Sequence, residues 1–275
     1  MSGAWTAIVL AGQRPGENDF AEAHGTKWKA LIPVGGEAML GRVVRVLLGA
    51  APIGRIVILA QDPQSLMTGA LGWMAAEPRI ATAVSGDGIS RSIAAIAGSA
   101  AAPFPLLLAT ADHALLTGEM VEAFLEGAGE ADAAVALVER SIVEAAYPET
   151  RRTWLRFSDG DYSGANLFAL RTAKARKGLE MWAEVERDRK KALRLLMSFG
   201  PLLALRALTR TISLDRALAI AGRRAGFAVR AVRLAFAEAA IDVDKPADLA
   251  LAERILAART RSAVEGGGAQ GGGAA

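Results

Sequence analysis

Two rhythms of apolar and polar residues alternate along this chain. Short apolar runs, rich in Val, Ile, Leu and Ala, fall at residues 7–10, 55–60, 80–84, 105–110 and 133–139. Runs of this length, bounded by glycine or polar turns, predict strands buried on both faces. Between them, apolar residues recur at helical spacing over 39–48, 64–74, 89–99 and 118–126. A closing helix is predicted over 245–259, with Pro246 near its first turn. This alternation predicts an α/β fold with a mainly parallel sheet covered on both sides. After residue 150 the texture changes. Residues 153–157 and 167–170 read as strands around the Ser158-Asp159-Gly160-Asp161 turn, 171–226 as helical, and 229–234 as a return to the sheet. The expected organisation is one domain over 1–262, carrying a helical insertion at about 171–226. Residues 263–275, almost all Gly and Ala, form an expected disordered tail.

Composition narrows the functional classes. Of 275 residues, 52% are hydrophobic, enough for a sizeable core. The net charge of +3 gives no reason to expect a nucleic acid partner, and it suits substrates that carry phosphates. There is no cysteine, which excludes disulfides, thiolate metal sites and a cysteine nucleophile. The first apolar run has no basic segment before it and leads into a glycine loop, so it reads as a strand and not as a signal peptide. No uncharged apolar run reaches the ~18–20 residues that span a bilayer, and a cytoplasmic location is expected.

Six places carry residues suited to chemistry. Leu10-Ala11-Gly12-Gln13-Arg14-Pro15-Gly16 empties a strand into a glycine loop, a geometry that offers backbone N–H groups to phosphates. The same glycines also serve a plain strand-to-helix turn, and no Gly-Lys-Ser/Thr follows to make a P-loop. Lys29, with Lys27 close by, stands where a polar loop meets an apolar run and is placed to hold phosphate charge. Asp112 lies just past the carboxyl end of the 105–110 strand, where open α/β sheets bind ligands, and a hard carboxylate there suits Mg²⁺. Its alternative role as a helix cap is better filled by Thr117. His113 reads equally as a substrate contact or a bystander. Asp242 and Asp244 alternate on an extended segment and share a side, so they can complete a metal site with Asp112, whereas Asp248 suits the start of the last helix. Gly164 and Asn166 sit between two predicted strands, and Gly86, Gly88 and Ser92 lie where a strand passes into a helix. Both segments also serve as ordinary turns.

Taken in order, these motifs resemble the MobA-like nucleotidyltransferases. That group includes molybdopterin guanylyl- and cytidylyltransferases and is similar to the cytidylyltransferases of isoprenoid synthesis. The resemblance covers about residues 5–170 and 228–258. It implies a three-layer Rossmann-like fold of the nucleotide-diphospho-sugar-transferase (GT-A-like) type with a helical insertion. It also implies an Mg²⁺-dependent enzyme that transfers a nucleoside monophosphate from an NTP, CTP or GTP favoured, to a phosphorylated small molecule with release of pyrophosphate. Leu10, Ala11, Gly12, Arg14, Gly16 and Lys29 would bind the triphosphate, and Gly86 and Ser92 would sit near base and ribose. Lys29 and Asp112 would be catalytic, Asp112 with Asp242 or Asp244 would hold the metal, and Gly164 and Asn166 would meet the acceptor. The loop departs from the family pattern, which often has a second glycine where Gln13 stands. Two alternatives remain: a glycosyltransferase of the same general fold using a nucleotide-sugar, and a non-catalytic nucleotide-binding module. The basic 171–194 stretch and the apolar 195–205 run read either as a helical subdomain packed on the sheet or as a surface that shapes the acceptor pocket or touches a membrane peripherally.

Overall fold

The computed structural model describes residues 4–13, 19–187, 197 and 199–268. Its strands are β1 (Trp5–Leu10), β2 (Pro33–Val34), β3 (Glu37–Ala38), β4 (Ile53–Ala60), β5 (Ile80–Val84), β6 (Leu106–Thr110), β7 (Ala133–Glu139), β8 (Leu155–Phe157), β9 (Gly160–Leu170) and β10 (Val229–Leu234). Its α-helices are α1 (Asp19–Glu22), α2 (Met39–Gly49), α3 (Pro63–Leu66), α4 (Ile89–Ile96), α5 (Gly118–Ala128), α6 (Arg140–Ala146), α7 (Arg176–Arg187), α8 (Pro201–Leu208), α9 (Leu214–Ala225) and α10 (Pro246–Gly268). The main sheet runs β10-β7-β9-β6-β1-β4-β5, with β8 on β9. β9 is antiparallel to β6, β7 and β8, and the other pairings are parallel. β2 and β3 form a small hairpin across Gly35 and Gly36, whose φ values of 60° and 82° suit glycine.

The chain leaves β1 for β4 and β5 on one side, then returns to place β6 on the other side of β1. That reversal opens a crevice at the carboxyl ends of β1 and β6, the usual ligand position in open α/β sheets.

Alternating side chains build a core on each face of the sheet. Ala7, Val9, Ile56, Ile58, Leu107 and Ala109 pack with Leu40, Val43, Val44 and Leu47 of α2 and with Met120, Val121 and Phe124 of α5. Ile8, Val57, Leu59, Leu106 and Leu108 face the other way, toward Ile93 of α4 and Leu179 of α7. Thr117 caps α5 as its position predicts, accepting from the Met120 N–H at 3.3 Å.

Several local boundaries differ from the sequence reading. The helix expected over 64–74 splits into α3 and a 3₁₀ stretch, Gly69–Ala76, because Gly69 takes φ 55° between them. Gly164 and Asn166 lie on β9 itself and not in a connecting turn. β9 starts at Gly160 and runs past both, as an irregularity against β7 absorbs extra residues. Within the stretch read as an insertion, α7 is a core layer, with Ala175 and Leu179 fully buried against the sheet. α10 continues to Gly268, beyond the expected end at 259, because nothing before the glycine run breaks it. Residues 269–275 of the expected tail lie outside the described residues.

Candidate active site

The backbone ladder carries on past the strand ends and sets the level of the site. The Ala11 N–H donates to the Leu59 carbonyl at 3.0 Å, and the Ala111 N–H donates to the Leu10 carbonyl at 3.0 Å. Gly12 and Asp112 therefore leave neighbouring strands side by side. Gly12 turns against Gln61, whose Oε1 would lie 3.1 Å from an added Cβ. Gln61 and Gln13 exchange bonds: the Gln13 N–H donates to Gln61 Oε1 at 3.1 Å, and Gln61 Nε2 donates to the Gln13 carbonyl at 2.7 Å. The Gln13 side chain also reaches the lysine segment, accepting from the Lys29 N–H at 2.7 Å and donating to the Lys27 carbonyl at 3.4 Å. These two glutamines fasten the glycine loop to Lys29. Arg14 and Gly16, expected to join the phosphate contacts, lie outside the described residues.

Lys29 opens a 3₁₀ turn held by buried Ala30 and Ile32. Its Nζ lies 2.6 Å from Asp112 Oδ2 and also pairs with Asp244. The Val243 N–H donates to the Asp112 carbonyl at 3.1 Å, which brings the two acidic segments together. Ile241 and Val243 point into a cluster with Ile32, Val34, Leu115 and Ile255, so the alternating Asp242 and Asp244 turn toward the crevice. Burial opposes the charge on Lys29, but pairing with Asp112 and Asp244 outweighs it and pushes the ammonium up to about 12. Burial likewise opposes the charge on Asp244, and Lys29 prevails there too, holding that carboxyl below the usual range.

Asp242 has different partners. Arg152, only 9% exposed, donates to one of its oxygens, and Asn166 Nδ2 donates to the other at 3.2 Å. Burial and the nearby Asp244 charge push the Asp242 carboxyl up despite Arg152. Arg152 also donates to Asp248 Oδ1 at 3.3 Å, and Asp248 Oδ2 accepts from the Asp244 N–H at 3.3 Å. Asp248 therefore serves the start of α10, as the sequence implies. Asn166 takes a left-handed φ of 50°, which asparagine tolerates, and so aims its amide at Asp242 from within β9. Two residues earlier on the strand, Gly164 leaves open space, with no atom within 4 Å of a would-be Cβ.

At the other end of the crevice, Ser92 shapes the 85–88 loop. Its hydroxyl donates to the Gly88 carbonyl at 2.8 Å and accepts from the Gly86 N–H at 3.0 Å. Gly86 and Ser92 lie beyond β5, two strands from β1 and so roughly 10 Å away. Lys29, Asp112, Asp242, Asp244 and Asn166 are thus brought together, while Gly86 and Ser92 form a separate wall.

Buried side-chain atoms without a protein partner concentrate at these strand ends. Among the described residues they include Ser85 Oγ, Thr110 Oγ1, Asp112 Oδ1, both His113 ring nitrogens and Arg152 Nε. Native interiors rarely leave such groups unsatisfied, and a ligand along this edge would offer them partners. Asp112 Oδ1 is the one that bears on a metal, since it is a hard carboxylate oxygen with no partner whose sister oxygen shares Lys29 with Asp244. No group of three or more His, Cys, Asp or Glu encloses a metal position among the described residues. Two carboxylates suffice for Mg²⁺, which keeps waters and takes its remaining ligands from phosphates.

Arg152, Gln13 and Gln61 were not legible in the sequence as site residues. Arg152 lies in a coil with no pattern around it, and Gln13 reads as a departure from the glycine loop.

Residues 7–189 match the family model of the MobA-like NTP transferase domain. The chain belongs to this family. The match includes Gly12, Lys29, Ser92, Asp112 and Asn166 and stops before Asp242 and Asp244. A hypothetical transferase structure from Thermus thermophilus is similar at 31% identity and a TM-score of 0.72, over 90% of this chain and 99% of that one. CMP:2-keto-3-deoxy-manno-octonic acid synthetase, in a structure with CTP, shares the fold at 14% identity and a TM-score of 0.58, over 94% of this chain and 100% of that one. The 4-diphosphocytidyl-2C-methyl-D-erythritol synthase of Anaerococcus prevotii does so at 10% identity and a TM-score of 0.54, over 93% and 99%. A comparison with curated proteins finds no match. No helix among the described residues is long and apolar enough to cross a membrane.

Proposed function

We propose that this MobA-like domain transfers a nucleoside monophosphate from an NTP, CTP or GTP first, to a phosphorylated small molecule. An oxygen of the acceptor phosphate forms a bond to the α-phosphorus, and the bond from that phosphorus to the bridging oxygen breaks to release pyrophosphate. The observation that carries this reading is Lys29, held between Asp112 and Asp244 at the mouth of the glycine loop while Asp112 Oδ1 stays buried and unpartnered.

The Gly12 backbone and Lys29 would receive the triphosphate, Lys29 exchanging its carboxylate partners for phosphate oxygens. The fixed charge of Lys29 then faces the negative charge that builds on the reacting phosphates. Asp112 and Asp244 are the pair suited to Mg²⁺, because both oxygens of Asp242 already accept hydrogen bonds. When bound, Mg²⁺ neutralises phosphate charge and helps orient the α-phosphate. Asp242 instead holds Asn166 and Arg152 toward the open ground beside Gly164, where the acceptor would lie. The loop at Gly86, shaped by Ser92, would take the base and ribose. No covalent enzyme intermediate is needed, so positioning supplies much of the rate.

The test is pyrophosphate release with Mg²⁺, each NTP in turn, and panels of phosphorylated sugars, polyols and a pterin phosphate. Release that requires one NTP and one acceptor is expected. Lys29→Met is expected to lower kcat about 10²- to 10³-fold, the effect of losing one charge-stabilising group. Release of a nucleoside diphosphate from a nucleotide-sugar, or full activity in Lys29→Met, overturns the proposal.

A further inference from the structure

The chain from residue 171 to the start of β10 has a chemistry that the transfer reaction does not use. Residues 171–226 hold 14 Lys and Arg against 5 Asp and Glu, a charge of +9, while the rest of the chain holds 18 against 24, a charge of −6. From residue 189 to residue 214 there is no acidic residue at all. This segment differs in sign from the remainder of the chain.

The apolar residues here also break the ordinary surface pattern. α8 turns Leu203 and Ala204 inward, and both are buried. Leu202, Leu205 and Leu208 face outward with exposures of 68%, 57% and 64%. Their spacing of three places them along one face of the helix. A helix packed on a core normally presents polar residues on that face.

Guanidinium groups flank the leucines at both ends. Arg224 donates to the Phe199 carbonyl just before the first turn of α8, and the adjacent Arg223 is exposed. Arg206 donates to the Thr211 carbonyl at 2.7 Å beyond the last turn, and Arg210 is exposed there. The face is firmly mounted. The Ser158 N–H donates to the Ile212 carbonyl at 3.0 Å, and the Leu214 N–H donates to Asp159 Oδ1 at 3.0 Å. Arg233 closes the joint with ion pairs to Asp159 and Asp215, each at 3.1 Å.

A leucine face rimmed by arginines matches the needs of an interfacial helix, which sinks its apolar side below the headgroups and leaves cations among them. An eight-residue helix is about 12 Å long, so it lies in the interface and does not cross it. A second copy of the chain fits this face less well, since a symmetric contact would press the same arginines together. We propose that α8 and its flanking arginines form a docking surface for a bilayer rich in anionic lipid. The β8–β9 turn that anchors this surface leads along β9 to Gly164 and Asn166, so docking would set the acceptor side of the site near the membrane.

The experiment is co-sedimentation of the full chain with sucrose-loaded vesicles, either of phosphatidylcholine alone or with about a third phosphatidylglycerol. The expected result is binding to the anionic vesicles, roughly tenfold weaker on phosphatidylcholine and reversed by about 0.5 M salt. Leu205→Glu is expected to cut the bound fraction roughly tenfold while leaving Tm unchanged, because the side chain is already exposed. The pair Arg210→Ala and Arg223→Ala is expected to weaken binding and to flatten its salt dependence. Absence of binding to anionic vesicles overturns the proposal, as does equal binding by Leu205→Glu. A self-association seen by light scattering and abolished by Leu205→Glu would assign the face to a second copy instead.

Discussion

Lys29 holds two carboxylates with one positive charge, and the negative charge left over would suit a divalent cation, which in turn would free the ammonium for phosphate oxygens. The stabilising contribution of these pairs follows from the shift of Lys29 to about 12. The contribution is complete below the ordinary lysine value of 10.5 and is lost as pH rises through about 12, so no loss of this pairing is expected across neutral pH. Arg152 repeats the arrangement deeper in the fold, one cation between two acids with its side chain only 9% exposed. Removing it in Arg152→Ala leaves Asp242 and the buried Asp248 without their partner, and a loss of about 3 kcal/mol is expected in urea denaturation. An unchanged midpoint would show that solvent replaces the arginine at no cost. His113 supplies a third residue-scale expectation. Burial pushes its imidazole down to about 4, with Arg259 adding to the effect and Asp112 opposing it. A base held neutral in the fold but free to charge when unfolded gives stability that is full above pH 6.5 and drains away as pH falls toward 4. Thermal melts over that window are expected to fall less steeply for His113→Leu than for the parent chain, and parallel curves would remove His113 as the cause. At this scale the sequence was legible where chemistry follows a strand end. Lys29 and Asp112 announce themselves beside apolar runs, and they do meet. Arg152 does not, because its importance arises only when residues 90 positions apart along the chain are folded onto it.

Helix α7 has a role at the element scale that its basic composition conceals. α4 has no side-chain cap of its own, since Gly88 stands at its N-cap. α7 lies along it and serves both ends. Glu186 accepts from the Ile89 N–H at 2.8 Å and the Ser90 N–H at 3.2 Å, and Arg176 donates to the Ala97 carbonyl at 2.7 Å and the Ala94 carbonyl at 3.0 Å. Their separation of ten residues spans about 15 Å, slightly more than the length of α4, and their charges oppose its dipole correctly. Glu186→Ala and Arg176→Ala are each expected to cost about 1 kcal/mol, measured by denaturant midpoint. Nearly additive losses in the double variant are expected, because the two sites lie at opposite ends of α4. Each variant leaving the midpoint untouched would mean that water serves the helix ends equally well. This pairing explains why the stretch from 171 reads as an insertion. Its apolar positions, Ala175, Leu179 and Trp182, are sparse among charges, yet they pack on the sheet face that β6 and β9 present. Strands buried on both faces were legible because nothing but continuous apolar sequence can occupy those positions. β9 was not legible in its first half, since Gly164 and Asn166 have turn chemistry and reach the sheet only through the irregularity against β7.

For the molecule as a whole, the proposed site would spread across the carboxyl edge of the sheet, from the Gly86 loop beyond β5 to Asn166 on β9. A ligand that spans several strands ties together elements that otherwise touch only through the core, and it binds the folded chain alone. Its free energy must then appear as global stability. At about 100 times its dissociation constant, the preferred NTP with Mg²⁺ is expected to add about 2.7 kcal/mol, a rise in Tm of about 5–10 °C for a chain of this size. CTP and GTP are the first to try, and the nucleotide giving the larger shift identifies the donor. The Mg²⁺-dependent part should vanish in Asp112→Asn, which keeps the shape of the side chain and removes the charge that a divalent cation needs. The part contributed by the glycine loop and Lys29 should remain in that variant and disappear in Lys29→Met. These separate losses test whether Asp112 and Lys29 act on different partners, the metal and the phosphates, or only on each other. If both variants lose the whole shift, the ion pair matters as a structural unit. If no NTP moves Tm with or without Mg²⁺, the crevice is not a nucleotide site.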